Sequence, residues 1–132
     1  MLFSPSNDEL LQYQAEADPC ATKTRWGLAP ITYLDTLDAQ REAGPVPVRG
    51  LTALRAEQTD DPAADQARDW LARYDFAVCV RGIRQIDGVD QTQEQVRQAL
   101  NSARPTSAVR QLTSELALKI ADLSAGDAEK KQ

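Results

Sequence analysis

The chain has 132 residues, 42% of them hydrophobic and 27% charged, with a net charge of −5 at neutral pH. That balance suits a single soluble globular domain and excludes a disordered chain. It also argues against nucleic acid as a partner, since phosphate contacts need clustered Lys and Arg and neither half of the chain is a basic patch.

Residues 1–21 read as an N-terminal arm carrying a short helix, with Asn7 or Asp8 capping Glu9–Ala17 and Leu10, Leu11 and Tyr13 supplying a modest apolar face. Asp18-Pro19 ends it, because the residue before proline avoids the helical region. A strand follows around Thr24–Leu28, with Pro30 confining it to an edge or an end of a sheet. Thr32 and Asp35 form a carboxylate capping box that opens a helix over Tyr33–Glu42. Leu34 and Leu37 are expected on its inner face, and Ala43-Gly44-Pro45 stops it. Pro45-Val46-Pro47-Val48-Arg49-Gly50 reads as a stiff extended connector, and Leu51–Gln58 as a short helix.

Asp61 caps the next helix and Pro62 occupies its first position. Ala63, Ala67, Trp70, Leu71, Tyr74 and Val78 recur at three- and four-residue steps, so the central helix is expected to run to Val80 or Arg81. The alternation of Phe76, Val78 and Val80 keeps a strand there as the competing reading. Ile83–Ile86 leads into Asp87-Gly88, a dipeptide suited to the positive φ of a tight hairpin. Thr92 and Gln95 form a second capping box for a helix to Ala103, with Val96, Ala99, Leu100 and Ala103 inward, and Arg104-Pro105 breaks it. Thr106 starts the last helix, where Val109, Leu112, Leu116, Ile120 and Leu123 make the cleanest apolar stripe in the chain. Ser124-Ala125-Gly126 closes that helix, and Asp127–Gln132 is a charged tail. The expected fold is mainly α with a small β element, of the α+β class: an arm over 1–21, one helical domain over 22–126, and the tail over 127–132.

Chemistry-bearing residues are sparse. The chain has no histidine and two cysteines, which removes the commonest acid–base, nucleophile and metal-ligand groups. Cys20 and Cys79 could pair in principle, but two separate thiols is the plainer reading, and Cys79, in the apolar run Phe76–Val80, reads as a buried small hydrophobe. Asp60, Asp61, Asp65 and Asp69 lack the glycine and glutamate offsets of a calcium loop and fit the favourable charge at a helix start. The glycines form no phosphate-cradling spacing. No catalytic residue, cofactor or metal site is therefore expected. No apolar run approaches the ~20 residues that cross a bilayer, so no membrane partner is expected either. Arg81, Arg84, Arg97, Arg104 and Arg110 are candidates for planar contacts with carboxylates at an interface, with codon bias in a GC-rich genome as the plainer explanation of so many arginines.

The arrangement resembles a family of small tailed-bacteriophage tail assembly chaperones. Carrying the resemblance are Asp18-Pro19; Trp26-Gly27-Leu28-Ala29-Pro30-Ile31-Thr32; Trp70–Val80 with Gly82 and Ile86-Asp87-Gly88; and Leu123-Ser124 followed by Asp127-Ala128-Glu129-Lys130-Lys131. The chain departs from that pattern in Pro45-Val46-Pro47 and in the N-terminal arm. The resemblance implies a non-enzymatic factor that binds tape-measure or tail-tube subunits in the host cytoplasm during assembly and is absent from the finished particle. Residues 1–21 and 127–132 have few apolar side chains to hold themselves in place, and they keep open a permanent virion subunit held by its arms. Trp26, Leu28 and Ile31, with Leu10, Leu11 and Tyr13 of the arm, are the expected partner contacts. The final stripe is expected to be core; its alternative use is self-association into a homo-oligomer.

Overall fold

A computed structural model describes residues 10–18, 22–58, 60–102 and 107–129. Its elements are β1 (Leu11–Gln14), β2 (Arg25–Leu28), α1 (Tyr33–Ala43), α2 (Val48–Arg55), α3 (Pro62–Gly82), β3 (Ile83–Ile86), β4 (Val89–Asp90), α4 (Gln93–Ser102) and α5 (Ser107–Glu129). This is the mainly α, α+β class expected. The cap at Asn7 or Asp8, Pro19, Cys20, Ala103, the Arg104-Pro105 break, the Thr106 start and the Lys130-Lys131 end lie outside the described residues.

Local capping chemistry sets three helix starts. The Thr32 hydroxyl accepts from the Asp35 N–H while the Asp35 carboxylate accepts from the Thr32 N–H. Asp61 accepts from the Ala63 N–H at 2.9 Å, with Pro62 in the first turn. Thr92 and Gln95 close the same reciprocal pair at α4. Residues 76–80 are helical, and α3 runs on to Gly82. Asp87 and Gly88, both at positive φ, turn β3 into β4. The Asp87 carboxylate also accepts from the Arg25 N–H, and its own N–H donates to the Arg25 carbonyl, so the turn grips β2.

Four expectations are corrected. The arm helix over Glu9–Ala17 is instead a strand at Leu11–Gln14, so the described part of 1–21 belongs to the domain. It pairs with β2 in the register Leu11↔Leu28 and Tyr13↔Trp26, which puts four large side chains on the inner face. The extended connector is shorter than expected, because helix α2 begins at Val48. Helix α5 does not stop at Gly126 but continues to Glu129. On α1, Leu34 and Leu37 point outward, and Ala39 and Ala43 form the buried face.

The sheet is antiparallel in the order β1-β2-β3-β4, so β2 is interior and Pro30 lies just past its end. A register shift at Gly27/Leu28 pairs Trp26 with Ile86 and Leu28 with Ile83. With that bulge, two isoleucines three residues apart both turn inward. Leu28, Ile83, Val96, Leu116 and Ile120 are completely enclosed, joined by Ala77, Val78 and Cys79 of α3. The α5 stripe is thus core, which removes it as a surface for self-association.

Two clamps close the structure over long sequence distances. Glu115 on α5 accepts from the Tyr13 hydroxyl and from the N–H groups of Glu16 and Ala17. Burial opposes the Glu115 charge, yet these hydrogen bonds outweigh it and hold the carboxyl below its ordinary range; the same bond pushes Tyr13 up to about 12. Glu42 at the end of α1 takes Arg81 of α3 at 2.8 Å and Arg97 of α4 at 2.5 Å.

Leu116 is 0% exposed. Leu116→Ala should therefore lower the unfolding free energy by about 2–5 kcal/mol in urea titrations. Gly50 of α2 sits where a Cβ would lie 2.1 Å from the Ala63 carbonyl oxygen of α3. Alanine normally gains up to about 1 kcal/mol over glycine in a helix. Here the collision with backbone wins, and Gly50→Ala should destabilise by about 1–3 kcal/mol in the same titration.

Candidate functional site

Helices α1 and α5 both pack on α3 and hardly meet each other, which leaves a trough between them. Its volume is about 650 Å³. Leu71, Tyr74, Asp75 and Val78 of α3 form the floor, Ile31, Tyr33 and Thr36 one wall, and the α5 face from Arg110 to Ala125 the other. The α5 wall is lined by small side chains, with Ser114, Ala117, Ala121 and Ser124 at helical spacing. The Ser124 hydroxyl accepts from the Ile31 N–H at 2.9 Å and ties the two walls together at one end.

The rim exposes large apolar groups. Of the lining residues, Tyr33 is 79% exposed and Leu118 65%. Exposed apolar side chains gathered about one groove make it the candidate binding face.

One ion pair lies in the trough. Arg110 reaches Asp75 through a single contact at 3.2 Å, and its second terminal nitrogen donates to the Arg68 carbonyl. Burial pushes the Asp75 carboxyl up from its ordinary value, and the hydrogen bond and charge of Arg110 do not fully offset it. Beside it, burial and then the Asp75 charge push Tyr74 up. Tyr74 stacks on Trp70 at 5.2 Å, and the Trp70 indole N–H donates to the Gly44 carbonyl at 2.9 Å, which fixes the end of α1 against α3.

The residues read from sequence as partner contacts separate into three groups. Trp26 and Leu28 have their side chains inside the core, so they support the fold and are not available at its surface. The buried Trp26 Nε1 has no hydrogen-bond partner among the described residues. Leu11 and Tyr13 are half-buried against the same core, and Leu10 is half-exposed beside them. Ile31 is the member of that set which lines the trough. Tyr33, Leu118 and Asp75 were not singled out from sequence as contacts. Leu118 falls between Leu116 and Ile120, off the buried stripe of α5. Asp75 interrupts an apolar face at i+4 from Leu71.

Other candidate clusters resolve into internal pairs. Asp65 pairs with Arg68 and Asp69 with Arg73, each along α3. Arg81, Arg97 and Arg110 all bind carboxylates of their own chain; Arg84 is exposed, and Arg104 lies outside the described residues. Cys79 is free and fully buried; burial raises its thiol pKa, and it donates to the Thr113 carbonyl. Among the described residues no group of three or more His, Cys, Asp or Glu is placed to hold a metal, and no helix is long and apolar enough to cross a membrane. Comparison with protein-family models, curated proteins and solved structures finds no match for this chain.

Because the raised Asp75 binds its proton more tightly folded than unfolded, its ionised form costs the fold stability at neutral pH, and that cost fades as pH falls through the raised value. Arg110→Gln should enlarge the cost. The variant's stability deficit in urea titrations should be largest near neutral pH and shrink on acidification.

Proposed function

We propose that the protein works by binding and not by catalysis, as an assembly factor of a tailed bacteriophage that engages tape-measure or tail-tube subunits in the host cytoplasm. The observation that carries the binding reading is the open trough between α1 and α5, with Leu71, Tyr74 and Val78 on its floor and exposed Tyr33 and Leu118 on its walls. The identity of the partners is supported by the sequence resemblance, from Asp18-Pro19 and the Trp26–Thr32 box through Asp87-Gly88 to Leu123-Ser124. In this reading the sheet and the α3–α5 core hold the trough open, and the partner lends it apolar side chains during assembly.

The test is recovery of the tagged full chain from cells producing the phage, together with mass spectrometry of purified particles. Tail subunits should co-purify with the protein, and the protein should be absent from the particles. Leu118→Glu should fold normally, because Leu118 is largely exposed, yet lose most of the co-purifying subunits. Stoichiometric copies in mature particles would replace the assembly factor with a permanent virion subunit. Recovery of no tail subunit at all would overturn the reading.

A further inference from the structure

Helix α1 carries its own candidate occupant for the trough. With Ala39 and Ala43 turned to the core, the opposite ridge of α1 presents Leu34, Leu37 and Arg41, spaced three and four residues apart. Two of the chain's exposed large hydrophobic residues therefore share a ridge with a cation. Across the groove, the polar group beneath the surface is the Asp75 carboxylate, which a single contact from Arg110 leaves only partly compensated.

Dimensions agree. From Leu34 to Arg41 is about 10.5 Å along a helix, and from Arg110, which marks the Asp75 end of the trough, to Leu118 is about 12 Å along α5. Seating Arg41 over Asp75 thus brings Leu34 to the level of Leu118. The α5 wall runs about 22 Å from Arg110 to Ala125. The small residues Ser114, Ala117 and Ala121 let a helix backbone come close above them.

We propose that the trough seats α1 of a second copy of this chain, with Leu34 against Leu118, Leu37 over Val78 and Ala117, and Arg41 paired to the Asp75 carboxylate. The proposal rests on reading the trough as a docking surface. It adds that the free protein covers this surface with itself, so a tail subunit binds by displacing a neighbour. An ionic contact half-shielded from water fixes the register, and the leucines supply the area.

Sedimentation velocity of the full chain over a wide concentration range tests this. The wild type should self-associate, and Leu34→Asp, at an exposed position that does not hold the fold, should be a folded monomer by circular dichroism. Arg41→Gln and Asp75→Asn should each weaken association about tenfold, and the double variant should be no weaker than either alone, because both changes break one pair. A wild type that stays monomeric up to hundreds of micromolar overturns the proposal. So does association that survives Leu34→Asp, or losses from the two polar variants that multiply. A monomeric wild type that still recovers tail subunits sinks self-docking alone, while a self-associating protein that recovers none sinks the assembly role alone.

Discussion

Everything in this fold is arranged around a helix that has to be thin. Helix α3 is packed by α1, α2, α4 and α5 at once, and it accommodates them through Ala64, Ala67, Ala77, Cys79 and Gly82. Where α2 crosses it, Gly50 meets the backbone at Ala63, so the two helices approach without an intervening side chain. The large apolar volume is supplied instead by the sheet and by α5, through Trp26, Leu28, Ile83, Leu116 and Ile120. A central helix with small side chains draws its neighbours in close, but α1 and α5 reach it from different sides and leave the trough between them. The candidate site is thus a by-product of how α3 is packed.

The same constraint explains which parts of the structure were legible in the sequence. Capping boxes at Thr32 and Thr92, the Asp61-Pro62 start, the Asp87-Gly88 turn and the α5 stripe are local, and each was readable from a few adjacent residues. What was misread depends on distant partners. Leu11–Gln14 is a strand because Trp26 and Leu28 pair with it and Glu115 anchors its end, and nothing between Glu9 and Ala17 announces either. Leu34 and Leu37 were assigned inward by hydrophobicity, yet the α1 contact with α3 takes the alanine face, because close packing there leaves no room for leucine. Trp26 and Leu28 were taken for contacts because of their place at the head of an apolar box; the sheet that covers them closes only when β3 arrives from residue 83 onward.

The trough itself was the least legible feature. Its apolar rim comes from residues that break the buried pattern, such as Leu118 between Leu116 and Ile120, and its polar group from an aspartate in an otherwise apolar face of α3. Such exceptions acquire meaning only when two elements distant in sequence bring them together. Arg110 and Asp75 are joined across 35 positions, and Ile31 and Ser124 across 93.

The Glu115 clamp has a consequence for how the chain is made. A ribosome delivers the β1 and β2 segments first, but Leu11, Tyr13, Trp26 and Leu28 find their cover only when β3 and α5 emerge, and the bonds from Glu16 and Ala17 to Glu115 span 99 and 98 residues. Contacts of such long range close late in folding. During synthesis the two strands are therefore an adhesive ribbon without a lid, and the interval before α5 is released is when the nascent protein is most exposed to misassociation.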